Sequence, residues 1–331
     1  MAVNKTVSAK NFMKSWAQKR RRMNQRHSIV SLNITPNFFK GQQLIWSMQK
    51  FDELHLYPKI QAENKKQHRK PTAKELAHAQ TIVDSFIHFT HGKIILIDDT
   101  KGEVVAVIEF IPISQLTTKE RDEFNCITNF LHKLKKFVYP IAPGRGWGGK
   151  MWGVGWRKFM KALELFGSYI KLHTAWSFTR DYLQLALQSQ IVSWILGRLF
   201  RSMGDIPFES NRNLMEKHGV PSFASGEFND CLTEFDCAPH ITFTTNGFYN
   251  QPHTDKGNAS KFAFALFVPT KTSDGTLANP STNAGASGSQ FVLPDYKFCI
   301  AFPQQCVVKL LWAANRCKHC TLPGIEPKGF T

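Results

Sequence analysis

Residues 240–258 read HITFTTNGFYNQPHTDKGN. The run at 241–245, ITFTT, is β-branched and aromatic, which predicts a strand. Asn246-Gly247 and the Asn250 to Pro252 stretch follow as breaks, and His253 and Asp255 come straight after the second. A His-x-Asp pair at a strand end can present an imidazole nitrogen and a carboxylate oxygen to one metal ion. Two imidazoles and one carboxylate on one face suit Fe(II) and leave the opposite face open for a co-substrate and O2. The third ligand has to come from elsewhere. The best candidate is His319, 64 residues beyond Asp255 and just after a second strand-like run, CVVKLLW at 306–312.

A bare His-x-Asp occurs by chance in a chain with twelve histidines, so its surroundings carry the weight. Between the two candidate sites lie three more strand-like runs: FAFALFV at 262–268, QFVL at 290–293 and KFCIAF at 297–302. Strand, His-x-Asp, several short strands, then a distal His predicts an α+β chain with a double-stranded β-helix (jelly-roll) core and flanking helices, a fold that holds metals in its mouth.

The text NGFYNQPHTDKGNASKFAFALFVP at 246–269, VVKLLWAANRCKHCTLPG at 307–324 and APGRGWGGKMWGVGWRK at 142–158 resembles the fungal Tet-like 2-oxoglutarate/Fe(II) dioxygenases of the TET/JBP superfamily, over about residues 90–331. The resemblance implies Fe(II), 2-oxoglutarate and O2 as reactants. It implies oxidation of the methyl group of 5-methylcytosine in DNA to 5-hydroxymethylcytosine and further. It makes His253, Asp255 and His319 the iron ligands, and places Asn258 where relatives keep a polar residue that contacts the flipped base. Relatives hold the far carboxylate of 2-oxoglutarate with an Arg ten to fifteen residues past the distal His. Here the cation in that stretch is Lys328, a point charge without the bidentate fork of Arg. Either Lys328 substitutes, or an Arg arrives from another segment, or the C-terminal end is truncated and activity is impaired.

The chain's 331 residues are enough for a sizeable core, and 42% apolar with 20% charged residues is ordinary for a soluble protein. The net charge of +17 is not, and it predicts a polyanionic partner, with DNA containing 5-methylcytosine as the expectation from the resemblance. Residues 1–70 carry 15 Lys and Arg against three Asp and Glu, a surplus of 12. We therefore divide the chain into a basic arm at 1–70 and an oxygenase domain at 71–331. Lys19 to Arg22 with Arg26 fits nuclear import or phosphate contact, so nucleus is the expected location, with a mitochondrial presequence as the rival. A monomer is expected.

The seven cysteines point to a reducing compartment and free thiols. Cys317 and Cys320 have zinc-site spacing, with Cys231 and Cys237 as possible partners; buried thiols packing as small hydrophobes are the other reading. Thr72 with Glu75 and Thr117 with Glu120 are capping boxes that open helices, the second expected to run to Val138 before Pro140. A hairpin is predicted over 93–110, turning at Asp98 to Gly102. Residues 143–158 hold six Gly, three Trp and the cations Arg145, Lys150, Arg157 and Lys158. They are either a DNA contact or a turn packed by Trp, with Arg145, Lys150 and Arg157 as candidate substrate residues. The apolar stretch at 182–200 is a core helix rather than a membrane span, and 204–239 reads as loop. Residues 38–57 show no clear period.

Three functions fit: a 5-methylcytosine dioxygenase, a catalytically impaired DNA-binding relative, or an oxygenase acting on another methylated substrate such as N6-methyladenine, RNA or protein.

Overall fold

The computed structural model describes residues 43–48, 50, 54–62, 69–141, 146–158, 166–256, 258, 260–278, 287–325 and 329. In chain order the elements are β1 (Gln43–Met48), α1 (Pro58–Ala62), α2 (Ala73–Asp84), β2 (Ile87–Phe89), β3 (Lys93–Asp98), β4 (Glu103–Pro112), α3 (Thr118–Leu134), β5 (Gly148–Lys158), β6 (Phe166–Ser168), α4 (Leu172–Ser177), α5 (Thr179–Met203) and α6 (Asp205–His218). They continue with β7 (His240–Tyr249), β8 (Ala263–Phe267), β9 (Ser287–Gly288), β10 (Phe291–Leu293), β11 (Phe298–Ile300), β12 (Cys306–Trp312), β13 (Cys320–Thr321) and β14 (Gly324–Ile325).

The architecture is α+β. A five-stranded sheet has the order β1-β3-β4-β12-β8, and a four-stranded sheet the order β13-β10-β11-β2. One core lies between them: Ile94, Ile108, Val308 and Leu310 from the first meet Phe89, Leu293, Phe298 and Ile300 from the second. The strands alternate inward and outward, so each sheet turns one apolar face to the other. A third sheet, β6-β5-β7, carries the strand that leads to His253. Helices α3 and α5 pack with β5 and β12 around a second core that includes Phe124, Ile127, Val192, Ile195, Val154 and Val307.

Both capping boxes form. The Thr72 and Thr117 hydroxyls accept from the backbone N–H groups of Glu75 and Glu120, and each Glu carboxylate accepts from its cap's N–H. The second helix ends at Leu134 rather than Val138; residues 135–137 continue as turns, with the Phe137 N–H donating to Leu134 O at 2.8 Å. The 93–112 hairpin is present, and Asp98 closes its turn by accepting from the backbone N–H groups of Thr100 and Lys101.

Three elements correct the expectations. Residues 43–48 form β1, parallel to β3, and Leu56, Tyr57 and Ile60 are buried, so residues that composition grouped with the arm take part in the fold. The stretch at 204–239 contains helix α6; Pro207 sits in its first turn, where a missing N–H costs nothing. The Gly- and Trp-rich text is the eleven-residue strand β5, not a turn. It pairs with β7 from Gly148 to Gly155, with a bulge between Gly148 and Lys150, and with β6 from Trp156 to Lys158. Gly149 needs glycine there, with φ +64° and the Phe248 backbone where a Cβ would sit. Across the same bulge Asn246 and Gly247 take positive φ, so the predicted strand break is a kink within β7.

No described helix is long and apolar enough to cross a membrane. Helix α5 is buried along one side through Leu185, Val192, Ile195, Leu199 and Met203. At Gly197 an added Cβ would overlap the Phe235 carbonyl oxygen. Gly197→Ala is therefore expected to destabilise the fold by about 1–3 kcal/mol through overpacking, although alanine is the better helix former by about 1 kcal/mol. A melting temperature equal to or above the wild type would show that the 235 loop yields.

Candidate metal centre

The chain after β7 is laid against the chain before and through β13. The Asn250 N–H donates to Thr321 O at 3.2 Å, and the Asn250 side chain accepts from the Thr321 N–H at 2.8 Å. His253 and His319 exchange both backbone hydrogen bonds, each 2.9 Å, and the Asp255 N–H donates to Ala314 O at 2.9 Å. Paired antiparallel residues put their side chains on the same side. That is why two histidines far apart in sequence face one another, with ring centroids 4.4 Å apart.

His253 Nε2 lies 3.6 Å from one oxygen of the Asp255 carboxylate, and His319 Nε2 lies 3.9 Å from the other. The three donor atoms all fall within 4.8 Å of one another; no other group of three or more His, Cys, Asp or Glu ligand atoms gathers this way among the described residues. His253 Nδ1 is 2.9 Å from Gln251 O and His319 Nδ1 is 3.0 Å from Cys317 O. A carbonyl only accepts, so each Nδ1 carries a proton, and Nε2 is the atom each ring turns to the cluster. Burial, reinforced by the neighbouring His253, pushes the His319 pKa below the usual imidazole value, which keeps that ring neutral and able to ligate. Two imidazoles and a carboxylate, each imidazole held from behind by a backbone carbonyl, match a 2-His-1-carboxylate Fe(II) site.

Aromatic rings fix His319 from two sides. Phe291 stacks on it with centroids 5.5 Å apart, and Trp312 meets it edge-on at 5.3 Å. Neither ring was marked as a site residue by the sequence; Phe291 stands opposite Thr321 of β13 and Trp312 ends β12, and both places need the strand pairing to be seen. The Trp312 side chain is 8% exposed and its Nε1–H has no hydrogen-bond partner. A buried indole N–H without a partner is a cost that the fold carries beside the cluster.

Beside the cluster opens a cavity of about 1430 Å³, between β7 and β8. Asp255, Phe291 and Trp312 are among its lining residues, with His132, Lys135 and Lys271. Asn258 also lines it; the residue is exposed, and its N–H donates to Asp255 O at 2.8 Å. Lys150 is exposed on β5, 6.0 Å from the Trp152 ring. Arg157 is on β5 opposite Gly167, its side chain outside the described set. Arg145 and Lys328 lie outside the described residues. The basic residues around His319 are engaged in the fold: Arg316 pairs with Glu103, and Lys318 lies 3.7 Å from Asp295. Cys237, Cys317 and Cys320 are buried and Cys231 is exposed, and the thiols join no metal-sized group among the described residues.

No curated protein gives a significant match to the sequence. The family model described as the Tet-like 2OG-Fe(II) oxygenase superfamily matches residues 117–324. That span is well over half of the chain and holds all three clustered side chains. The family's cofactors are Fe(II) and 2-oxoglutarate, which agrees with the donor set, and the chain belongs to the Tet-like 2OG-Fe(II) oxygenase superfamily.

Proposed function

We propose that this 2-oxoglutarate-dependent oxygenase oxidises the methyl group of 5-methylcytosine in DNA, within a jelly-roll formed by the two facing sheets. The observation that carries the reading is the cavity beside Asp255, with aromatic residues near the cluster and cations among its lining. At about 1430 Å³ it exceeds the ~300–1,000 Å³ of a usual small-ligand pocket and has room for a nucleotide taken out of the base stack.

His253, Asp255 and His319 would hold the iron. Bound Fe(II) with 2-oxoglutarate and O2 supplies the oxidising power for an unactivated methyl group. The protein's part is positioning. The carbonyls of Gln251 and Cys317 keep both imidazole protons on Nδ1. Phe291 and Trp312 shield the inner imidazole from water, and Asn258, on the cavity lining, would contact the base.

Lys135 supports a phosphate-binding rim. Burial, and then the nearby Lys150, lower its pKa, so a phosphate between the two ammonium groups would relieve both effects. Lys135→Ala and Lys150→Ala are each expected to weaken DNA binding for all sequences alike and to reduce the salt slope by about 1. Removal of residues 1–30, which hold eight of the arm's cations, is expected to flatten that slope further. An unchanged slope would mean that neither region touches phosphate.

The deciding experiment is nucleoside mass spectrometry after incubation with Fe(II), ascorbate and 2-oxoglutarate. Parallel reactions use 5-methylcytosine DNA, N6-methyladenine DNA and methylated RNA. Oxidised cytosine from the first alone, absent when 2-oxoglutarate is omitted, is the expected result. Product only from another substrate, or none from iron-loaded protein, overturns the assignment.

A further inference from the structure

Helix α5 has two apolar sides, and the fold uses one. On the side opposite its buried row, Leu183, Leu187, Ile191 and Trp194 are 55%, 75%, 56% and 42% exposed. Their spacing of four, four and three residues keeps them in one stripe along three turns. Before α5, helix α4 and its junction add Leu172, Trp176 and Phe178, which are 61%, 77% and 47% exposed. With large apolar side chains offering roughly 150–250 Å² each, these exposures amount to about 800 Å². That is the share one partner contributes to a standard interface, and exposed apolar area of this size marks an interaction site.

The ends of the stripe differ in charge. At the N-terminal end Lys136 and Lys171 come together with one acid: Lys136 lies 3.5 Å from Asp181 and 3.2 Å from the centre of the Phe178 ring, and the Lys171 ammonium donates to Lys136 O at 3.5 Å; Arg180, exposed in the first turn of α5, adds a third cation. At the C-terminal end Arg201 is surrounded by three carboxylates, Asp205 at 3.1 Å, Glu209 at 3.5 Å and Glu234 at 3.8 Å. One end is cationic and the other anionic. A second copy turned end for end about a two-fold axis would set each cationic end against an anionic end, with leucine and isoleucine facing each other between them. Two-fold interfaces are built from one patch that complements itself in this way, whereas a parallel arrangement would oppose like charges.

The geometry points to an antiparallel homodimer through α5, with the axis crossing between Leu187 and Ile191. This departs from the monomer expected from the sequence, and it stands independently of the oxygenase reading. The test is sedimentation equilibrium of the full chain, reduced, at micromolar concentrations. The expected particle has twice the chain mass of 37.7 kDa. Leu187→Glu, at an exposed position where the fold loses no contact, is expected to weaken association by about 30-fold or more, as a central interface residue does, with an unchanged circular dichroism spectrum. Arg180→Glu is expected to weaken it less, and the same chain carrying Arg180→Glu with Glu234→Arg to regain it. Rising salt is expected to favour the monomer. A wild-type chain that stays monomeric, or a dimer indifferent to Leu187→Glu, overturns the proposal. So does a failure of the charge swap to restore pairing, or flotation of a monomeric chain with anionic vesicles that Leu187→Glu abolishes.

Discussion

Replacing His253 with alanine is expected to take iron binding and 2-oxoglutarate turnover below detection while leaving DNA affinity near its wild-type value. The His253 side chain is 36% exposed, so its removal leaves no buried void. Its backbone bridge to His319 uses no side-chain atom and survives the substitution. What is lost is one of three convergent donors. Changing a partner that merely orients a metal ligand already costs 10–100-fold in affinity, so losing the ligand itself is expected to cost at least about 100-fold. Anaerobic Fe(II) titration, turnover and DNA binding, measured on the same folded sample, separate the roles. Wild-type turnover by this variant would sink the iron-site assignment. Lost DNA binding together with lost iron would mean that His253 supports the DNA surface as well.

Phe291→Ala is expected to damage fold and site together. Phe291 is 5% exposed, pairs on β10 with both Ile300 and Thr321, and packs edge-on against Trp312 at 5.1 Å and Phe267 at 6.1 Å. Truncating a buried phenylalanine costs about 3–5 kcal/mol, a large share of the ~5–15 kcal/mol that holds a domain folded. The denaturation midpoint should fall with little change in the m-value. The same ring stacks on His319, so iron affinity should fall 10–100-fold in the protein that remains folded. Phe291→Leu is expected to recover most of the stability and little of the affinity, because a leucine fills the space without providing a flat face. Wild-type iron affinity in both variants would confine Phe291 to packing.

Local signals were the most legible in the sequence. The capping boxes at Thr72 and Thr117, the turn at Asp98 and the strand at 306–312 rest on neighbouring residues, and each stands where the text places it. The elements that were not legible depend on distant partners. β1 has no period of its own and is held by β3. The many glycines of β5 hid a strand because they answer to Phe248, Tyr169 and Phe223 across its face, not to a turn. Pro207 looked like a breaker, yet it opens a helix. The His253 and Asp255 pair was readable as a motif. Its meeting with His319 came from the order of strands and from family resemblance, since the pairing that joins them spans 66 positions. The Nδ1 contacts and the aromatic wall of Phe291 and Trp312 follow from that pairing and were invisible without it.

The exchange of backbone bonds between His253 and His319 makes the number of residues in the chain as important to the centre as their identity. Residues 313–318 are a turn, closed by the Arg316 and Cys317 N–H groups donating to Ala313 O, that delivers His319 to its bridge, and a one-residue change of register at that bridge reverses the face its side chain takes. Deleting a single residue from 313–318 would leave all three donor residues in the sequence and the β12 strand intact. It would also turn the second imidazole out of the cluster or break its bridge. The six positions between Trp312 and His319 therefore act as a ruler, and an insertion or deletion there should silence the centre as completely as losing the histidine, with no change to any donor.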